Sequence, residues 1–431
     1  MKVGLIGLGC DKNRVDSERM LFSLRSAGYE LTDDVDQAEV IVVNTCAFID
    51  AAKKEAIETI LDAASRKGKT LKKLIVTGCF AERYGAEVAA DLPEVDVFLK
   101  IADEEKIVET VDRLCNVSRP NPCYDAGRVL TTPAHYAYLK IADGCNNKCT
   151  YCAIPAIRGK YVSRPIEDLV REAQSLRDGG VQELILVAQD TTAYGYDLYG
   201  RYALVDLLTE LVEIDFWKIR LLYAYPELID DDLLTFIRDN ERMAKYLDVP
   251  LQHVDPTVLR RMNRRMRSGV ESFVETVRNK IPDVAVRSSF ICGFPYETEE
   301  AHRALVDFLQ RGVDYGGYFA FSPEEGTPAY NWKDRAKKSV VKRWVKECEI
   351  AQSAFTVIRQ NRFLGRTLEV LYEGVDYDRQ LFFGRTEFSA PEIDTLVYFS
   401  SDFPLEIGKV YRVKIEETGF HLTGRCVKEG L

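Results

Sequence analysis

The sequence predicts a three-part α/β chain: an N-terminal open parallel α/β sheet, a central partial (β/α)6 barrel, and a C-terminal small antiparallel β-barrel. Three observations predict it. Short apolar runs alternate with helical periods through residues 1–118, and the same alternation recurs over residues 134–361. Residues 362–431 then change to short strands separated by turn residues.

In the first part, Val3–Gly9, Val40–Thr45 and Leu74–Gly78 are continuous apolar runs of strand length, with Val95–Leu99 a fourth. Such runs suit strands buried on both faces of a parallel sheet. Asp16–Ala27, Lys53–Ser65 and Glu82–Ala90 carry the helical period between them. Residues 119–133 break the rhythm with Pro120, Pro122 and Pro133, and read as a linker.

The second series places strands at Ala137–Ile141, Glu183–Ala188, Ile219–Ala224, Tyr246–Pro250, Val286–Ile291 and Gly317–Phe321. Helices fit between them at Glu167–Arg177, Leu204–Glu213, Asp231–Arg238, Glu271–Asn279 and Glu299–Arg311. Six such units fall short of the eight that close a (β/α) barrel. A helix over Lys337–Gln360 leads to the last part. There Leu368–Tyr372, Leu381–Gly384, Leu396–Phe399, Val410–Ile415 and Leu422–Cys426 read as strands of a small barrel.

A chain of 431 residues exceeds one ordinary core, and 46% hydrophobic with 29% charged residues is the balance of a well-folded protein. The net charge of −10 disfavours loose binding to bare nucleic acid, which needs surplus Lys and Arg, and favours a basic partner. The apolar start Val3–Cys10 runs straight into Asp11, Lys12 and Asn13, too short for a membrane span and without a signal-peptide layout. A cytoplasmic location without membrane association is therefore predicted. In that reducing compartment eleven cysteines read as metal ligands or plain thiols rather than disulfides. Cys115, Cys123, Cys292, Cys348 and Cys426 are scattered and read as plain thiols.

The other six form two sets. Cys145, Cys149 and Cys152 make a CxxxCxxC run just after the first barrel strand, where the ligand loops of parallel barrels lie. Three thiolates on one tight loop hold three corners of a 4Fe–4S cubane, one short of full ligation. In radical enzymes of this type S-adenosylmethionine takes the open iron, and one electron cleaves it to a 5′-deoxyadenosyl radical. A structural zinc would need a fourth ligand. None is near in sequence, since the histidines are His135, His253, His302 and His421.

Cys10, Cys46 and Cys79 each follow a predicted parallel strand. The C-terminal strand ends of an open α/β sheet converge on one crevice, so these thiols form a plausible ligand triangle. Each alone could be a buried small hydrophobe. Three repeats of strand-then-cysteine favour a second iron–sulfur centre, again one ligand short and open to an exogenous sulfur.

Over essentially its full length the chain resembles the methylthiotransferase family of radical S-adenosylmethionine enzymes, RimO type. GLGCDKNRVDSERM (Gly7–Met20), NTCAFIDAAKKEAIETI (Asn44–Ile60) and TGCFAERY (Thr77–Tyr84) carry the resemblance in the N-terminal part. ADGCNNKCTYCAIPAIRGKYVSRP (Ala142–Pro165), LVAQDTTAYGYDLYG (Leu186–Gly200), VPLQH (Val249–His253), GFPYETEE (Gly293–Glu300) and SPEEGTPAY (Ser322–Tyr330) carry it in the radical domain. GRTEFSAPEID (Gly384–Asp394) does so in the C-terminal part, which resembles a TRAM domain. Departures are Asp11, where proline is frequent, and Val254-Asp255-Pro256, which replaces a commoner small or polar pair; neither touches a proposed ligand.

The resemblance implies two 4Fe–4S clusters and two uses of S-adenosylmethionine. One molecule methylates a sulfur on the open iron of the N-terminal cluster, and a second supplies the radical that abstracts hydrogen from an aspartate Cβ. The implied substrate is uS12, the twelfth protein of the small ribosomal subunit. An electron donor such as flavodoxin or ferredoxin and a sulfur donor are implied as further partners. A saturated C–H bond has no proton a general base can take, so the cofactors carry that step. Two other readings remain open at this level: tRNA adenosine methylthiolation, and a ribosome- or RNA-binding factor whose clusters are structural. Residues 362–431 carry nine basic against twelve acidic side chains, which favours a protein substrate over RNA.

Several polar residues are placed to hold S-adenosylmethionine. Tyr151 lies between two ligands and either packs on the adenine or anchors the loop. Gln189 and Asp190 end a strand at the mouth, where Asp190 is equally a helix N-cap. Gln252 and His253 sit similarly, with a satisfied structural histidine the alternative. Gly293, with Phe294 and Pro295, either admits a ligand close to the backbone or forms a tight turn. Arg260, Arg261, Arg264, Arg265 and Arg267 read as a solvated helix face rather than a ribosome contact.

Overall fold

The structure, a computed structural model, describes residues 1–118, 127–266 and 268–428. Residues 119–126 of the expected linker, with Cys123, and Arg267 of the arginine run lie outside the described residues.

Five parallel strands build the N-terminal sheet: β1 (Lys2–Gly7), β2 (Glu30–Thr32), β3 (Val40–Thr45), β4 (Lys73–Gly78) and β5 (Val97–Phe98). Their order is β2-β1-β3-β4-β5, so β3 is central, and all six of its residues are buried. Its helices are α1 (Asp11–Ser26), α2 (Asp50–Ala64), α3 (Cys79–Val88) and α4 (Ile107–Cys115). The three-residue β2 and the nine-residue α4 are additions to the sequence expectation.

α1 starts at Asp11, not at Asp16 as its periodicity predicts. The reason is its buried face, which is polar: Lys12, Asn13, Asp16, Ser17 and Glu18 all face inward. No apolar stripe marks that turn, because it packs against the next domain rather than into its own core.

The central sheet has six parallel strands, β6 (Tyr136–Lys140), then β9 (Glu183–Val187), β10 (Lys218–Leu221), β11 (Met243–Asp248), β12 (Ala285–Cys292) and β13 (Tyr315–Ala320), adjacent in that order. Between β6 and β9 lies a two-stranded antiparallel ladder of β7 (Ala142–Asp143) and β8 (Val162–Ser163). It staples the base of the cysteine loop. The expected (β/α) alternation is the one observed, and Val15 of α1 packs with Tyr136 and Tyr138 of the edge strand β6. The helix Lys338–Gln360 crosses to the C-terminal barrel.

That barrel closes as β14 (Thr367–Asp376), β15 (Leu381–Arg385), β16 (Val397–Ser400), β18 (Leu422–Cys426) and β17 (Val410–Thr418). It is antiparallel except where β16 and β18 run parallel, a detail that the antiparallel expectation lacked. Among the described residues, no helix is long and apolar enough to cross a membrane.

The loop after β15 enters the N-terminal end of the central barrel. Glu183, the first residue of β9, accepts from Arg220 Nε at 2.7 Å, and Arg220 donates onward to the Glu387 carbonyl at 2.9 Å. Arg385 Nη2 lies 2.7 Å from the other Glu183 oxygen, an ion pair out of line for a hydrogen bond. Burial pushes the Glu183 carboxyl up, but the two guanidiniums outweigh it and hold it below its ordinary value. Tyr246 and Arg287 meet Asp394 of the same loop, so the GRTEFSAPEID stretch plugs the barrel floor. Glu183→Ala removes the carboxylate paired with buried Arg220, while Arg385 keeps Glu373, and is expected to cost about 3–5 kcal/mol in urea unfolding. An unchanged unfolding midpoint would show the plug to be energetically idle.

Candidate functional site

The CxxxCxxC loop hangs from β7 at Gly144, whose φ of +73° and close approach to Lys160 (a Cβ would stand 2.1 Å from its carbonyl oxygen) require glycine. Each residue between the thiols is tied down. Asn147 donates to Asp190 Oδ2 at 2.7 Å, and Asn263 donates to the Lys148 carbonyl at 2.9 Å. Thr150 donates through its backbone to Met262 and through its hydroxyl to the Arg261 carbonyl. The Cys149 sulfur lies 3.9 Å from the Tyr225 hydroxyl, four residues past the end of β10. Burial pushes the Cys145 thiol up to about 11 and that of Cys152 up to about 12. A metal bound here must displace those protons, and its own charge does so.

The strand-end trio converges as well. Cys10 is the N-cap of α1 and Cys79 opens α3, so two helix N-termini, favourable to thiolates, bracket the set. Asn13 Oδ1 lies 3.7 Å from the Cys10 sulfur and 3.9 Å from that of Cys79. Its amide nitrogen donates to the Thr45 carbonyl at 2.9 Å, next to Cys46. Gly9, at φ +98°, lies so close to Cys46 that a Cβ would stand 2.9 Å from the Cys46 Cβ and 3.5 Å from its sulfur. Burial raises the Cys46 thiol and pushes that of Cys79 up to about 12, with the neighbouring thiols of the set adding to both.

One face joins the two sets. Tyr223 and Tyr225 follow β10 as alternate residues; Tyr225 touches Cys149, while Tyr223 donates to Asp11 Oδ2 at 2.9 Å, beside Cys10. Lys12 sits 3.3 Å above the Tyr223 ring. A second link is Arg158, at the end of α5 (Ile154–Arg158), directly after the cysteine loop. Its Nη2 donates to Asn13 Oδ1 at 2.6 Å and its Nη1 to Asp143 Oδ2 at 2.8 Å. Both guanidinium nitrogens reach Asp16 Oδ2 at 3.3 Å, and Lys140 pairs with Asp16 and Asp143 in the same seam.

Glu104 lies behind this seam, accepting from Thr77 Oγ1 at 2.9 Å. Burial, aided by Asp16 and opposed by Lys140 and Arg158, pushes its carboxyl from 4.5 up to about 8. A carboxyl raised on folding contributes stability below its unfolded value and loses it as pH rises through the folded one. Between about pH 4.5 and 8 wild type is therefore expected to lose stability relative to Glu104→Gln. Parallel melting curves across that window would contradict this.

The expected S-adenosylmethionine contacts divide. Gln189 stands at the mouth with its Oε1 buried and without a hydrogen-bond partner, as an acceptor awaiting a ligand does. Gln252 holds φ +73° beside the strand end, its backbone bonded to Ser289 and Ile291. Tyr151 packs edge-on against Phe294 at 6.4 Å, the anchoring arrangement. Asp190 takes its capping role: Oδ1 accepts from Thr192 and Ala193 and Oδ2 from Asn147, so it shapes the loop instead of facing a ligand. His253 takes the structural arrangement that was its alternative. It is fully buried, Nδ1 accepting from the Asp255 N–H at 3.0 Å and Nε2 3.2 Å from Glu297. Gly293 likewise takes its turn-forming alternative. A Cβ there would stand 2.4 Å from Val341 of the long helix, so the glycine serves packing and a turn closed by Glu297.

Sequence reasoning missed Arg264. Its run reads as solvated, and Arg260 and Arg265 are exposed; yet Arg264 is buried, 3.9 Å over the Tyr225 ring, donating to the Pro250 carbonyl. Its Nε is buried without a hydrogen bond. Tyr223, Tyr225, Asn13 and Arg158 were equally silent, since nothing in their local pattern marks a site. Among the described residues, no group of three or more His, Cys, Asp and Glu is drawn tight enough for a single metal ion. A cluster, whose thiolates sit on separate irons, asks for a wider set. Six free thiols and the orphaned Gln189 oxygen fit such a group and its ligand.

A parallel partial barrel with a three-cysteine loop beyond its first strand defines the radical S-adenosylmethionine class. The radical SAM superfamily model matches residues 139–309, flanked by the uncharacterized protein family UPF0004 over 2–100 and a TRAM domain over 364–427. A radical S-adenosylmethionine methyltransferase, TsrM from Kitasatospora setae, shares the fold at a TM-score of 0.55 and 16% identity, over 76% of this chain and 77% of that one. Ribosomal protein uS12 methylthiotransferase RimO of Acetivibrio thermocellus is 42% identical over 99% of both chains. RimO of Thermoanaerobacter sp. is 44% identical over 94% of this chain and 95% of its own, and that of Geobacter sulfurreducens 42% over 99% and 98%. The chain belongs to the RimO family of ribosomal protein uS12 methylthiotransferases. A 4Fe–4S cluster and S-adenosylmethionine are the cofactors of its class.

Proposed function

We propose that this enzyme adds a methylthio group to the β-carbon of an aspartate in ribosomal protein uS12, in the cytoplasm, using two 4Fe–4S clusters. Cys145, Cys149 and Cys152 hold the first cluster, and Cys10, Cys46 and Cys79 hold the second. The observation that supports this reading is the pair Tyr223 and Tyr225 after β10: Tyr225 touches Cys149, and Tyr223 donates to Asp11, the residue after Cys10. The clusters and S-adenosylmethionine, when bound, supply one-electron chemistry at an unactivated C–H bond together with the methyl and sulfur to be transferred. The chain supplies position. Three thiolates in each set leave one ligand place free, and the tied loop keeps Cys149 against Tyr225. Gln189 Oε1, buried without a partner, would accept a hydrogen bond from S-adenosylmethionine, and Arg264, stacked on Tyr225, would wall the mouth against water. The electron comes from a donor such as flavodoxin or ferredoxin, and the sulfur from a separate donor.

The test is mass spectrometry of uS12 peptides and tRNA nucleosides from a deletion strain. The aspartyl peptide is expected to lose the methylthio mass while the nucleosides keep theirs. The opposite pattern would move the chemistry to tRNA.

A further inference from the structure

We propose that Arg158 is the positioning residue of the N-terminal sulfur centre, fixing it against the radical loop and supplying its buried positive charge. This rests on the reading that Cys10, Cys46 and Cys79 hold a cluster. Arg158 belongs to the radical domain by sequence, six residues past Cys152, yet its side chain, 1% exposed, ends in the other domain. The fork divides its work: Nη1 holds Asp143 of its own domain, and Nη2 reaches Asn13 Oδ1 across the seam. That same oxygen lies against the Cys10 and Cys79 sulfurs. Asn13 cannot turn away, because its amide nitrogen is committed to the Thr45 carbonyl beside Cys46. One rigid chain therefore runs from the radical loop through α5, Arg158 and Asn13 to the strand-end thiols.

The charge of Arg158 acts on all three thiols of the set. Lys140, another buried cation of the seam, pairs with Asp16 and Asp143; Arg158 shares those two carboxylates and also reaches Asn13 Oδ1, against the Cys10 and Cys79 sulfurs. Reducing a cluster adds an electron to an already anionic group, so a buried cation beside it raises the potential. A guanidinium also presents its donors in a rigid planar fork, whereas a lysine is a point charge on a flexible stem. The two functions, charge and geometry, can thus be separated by substitution.

The experiment uses the full chain with Cys145, Cys149 and Cys152 changed to alanine, so that the N-terminal cluster alone gives a signal. Its iron content and midpoint potential are read by redox titration under electron paramagnetic resonance, with Arg158 native, Arg158→Gln and Arg158→Lys. Arg158→Gln is expected to disfavour reduction about tenfold, about 59 mV for one electron. Arg158→Lys should return the potential towards native. If Arg158→Gln loses its iron while Arg158→Lys keeps it at native potential, the need for charge is likewise upheld. A fully loaded Arg158→Gln protein with native potential overturns the proposal and leaves the two-cluster reading standing. Loss of iron in both variants upholds the positioning role and overturns the role of the charge, since a cation without the fork then does not suffice. No cluster even with Arg158 native overturns the two-cluster reading and this inference together.

Discussion

Replacing Cys149 with alanine is expected to abolish reductive cleavage of S-adenosylmethionine, a fall of about a thousandfold or more, about 4 kcal/mol of barrier. Cys149 is the middle thiol of a loop whose every intervening residue is held by a neighbour, so the loop cannot offer a replacement donor. Its hydrogen-bond partner is the Tyr225 hydroxyl at 3.9 Å, and the Tyr225 ring is engaged by Arg264. Two remaining thiolates make a poor cradle for a cubane. The measurement is 5′-deoxyadenosine formed under dithionite by anaerobically reconstituted protein, with iron counted in parallel. Tyr225→Phe, which removes only the hydroxyl, is expected to have a much smaller effect. Cleavage by Cys149→Ala near the native rate would remove the loop from the chemistry.

Replacing Cys46 with alanine is expected to stop sulfur transfer to uS12, again about a thousandfold, while some S-adenosylmethionine cleavage persists. Cys46 follows the central β3 and packs against Gly9, so its loss opens the middle of the trio without disturbing the radical loop. Product is counted as methylthio-aspartyl peptide and cleavage as 5′-deoxyadenosine in the same reaction. The split between those readouts is the signature of two centres. Undiminished transfer would mean that the strand-end thiols are packing residues after all.

Both substitutions probe residues that their local sequence marks, and this is not true of the whole site. The apolar runs of β3, β4 and β9 declare themselves because strands buried on both faces carry a continuous apolar stretch, with polar residues such as Asn44, Lys73, Thr77 and Glu183 only towards their ends. The opening of α1 hid for the opposite reason: its inward residues are Lys12, Asn13 and Asp16, satisfied by partners in another domain. Arg264 hid beside Arg260 and Arg265, which are exposed. His253 and Gly293 sat where ligand contacts belong, but Glu297 and Val341, distant in sequence, fill those places.

What the sequence determined by itself was the order and type of the elements and the two thiol triplets, because hydrophobic period and strand-then-cysteine spacing are local properties of the chain. The tertiary structure alone decided which polar residues meet: Arg158 with Asn13, Tyr223 with Asp11, Arg264 with Tyr225. A buried charge is tolerated only when a partner of matching geometry stands beside it. That partner comes from another strand or domain, and no local pattern can name it.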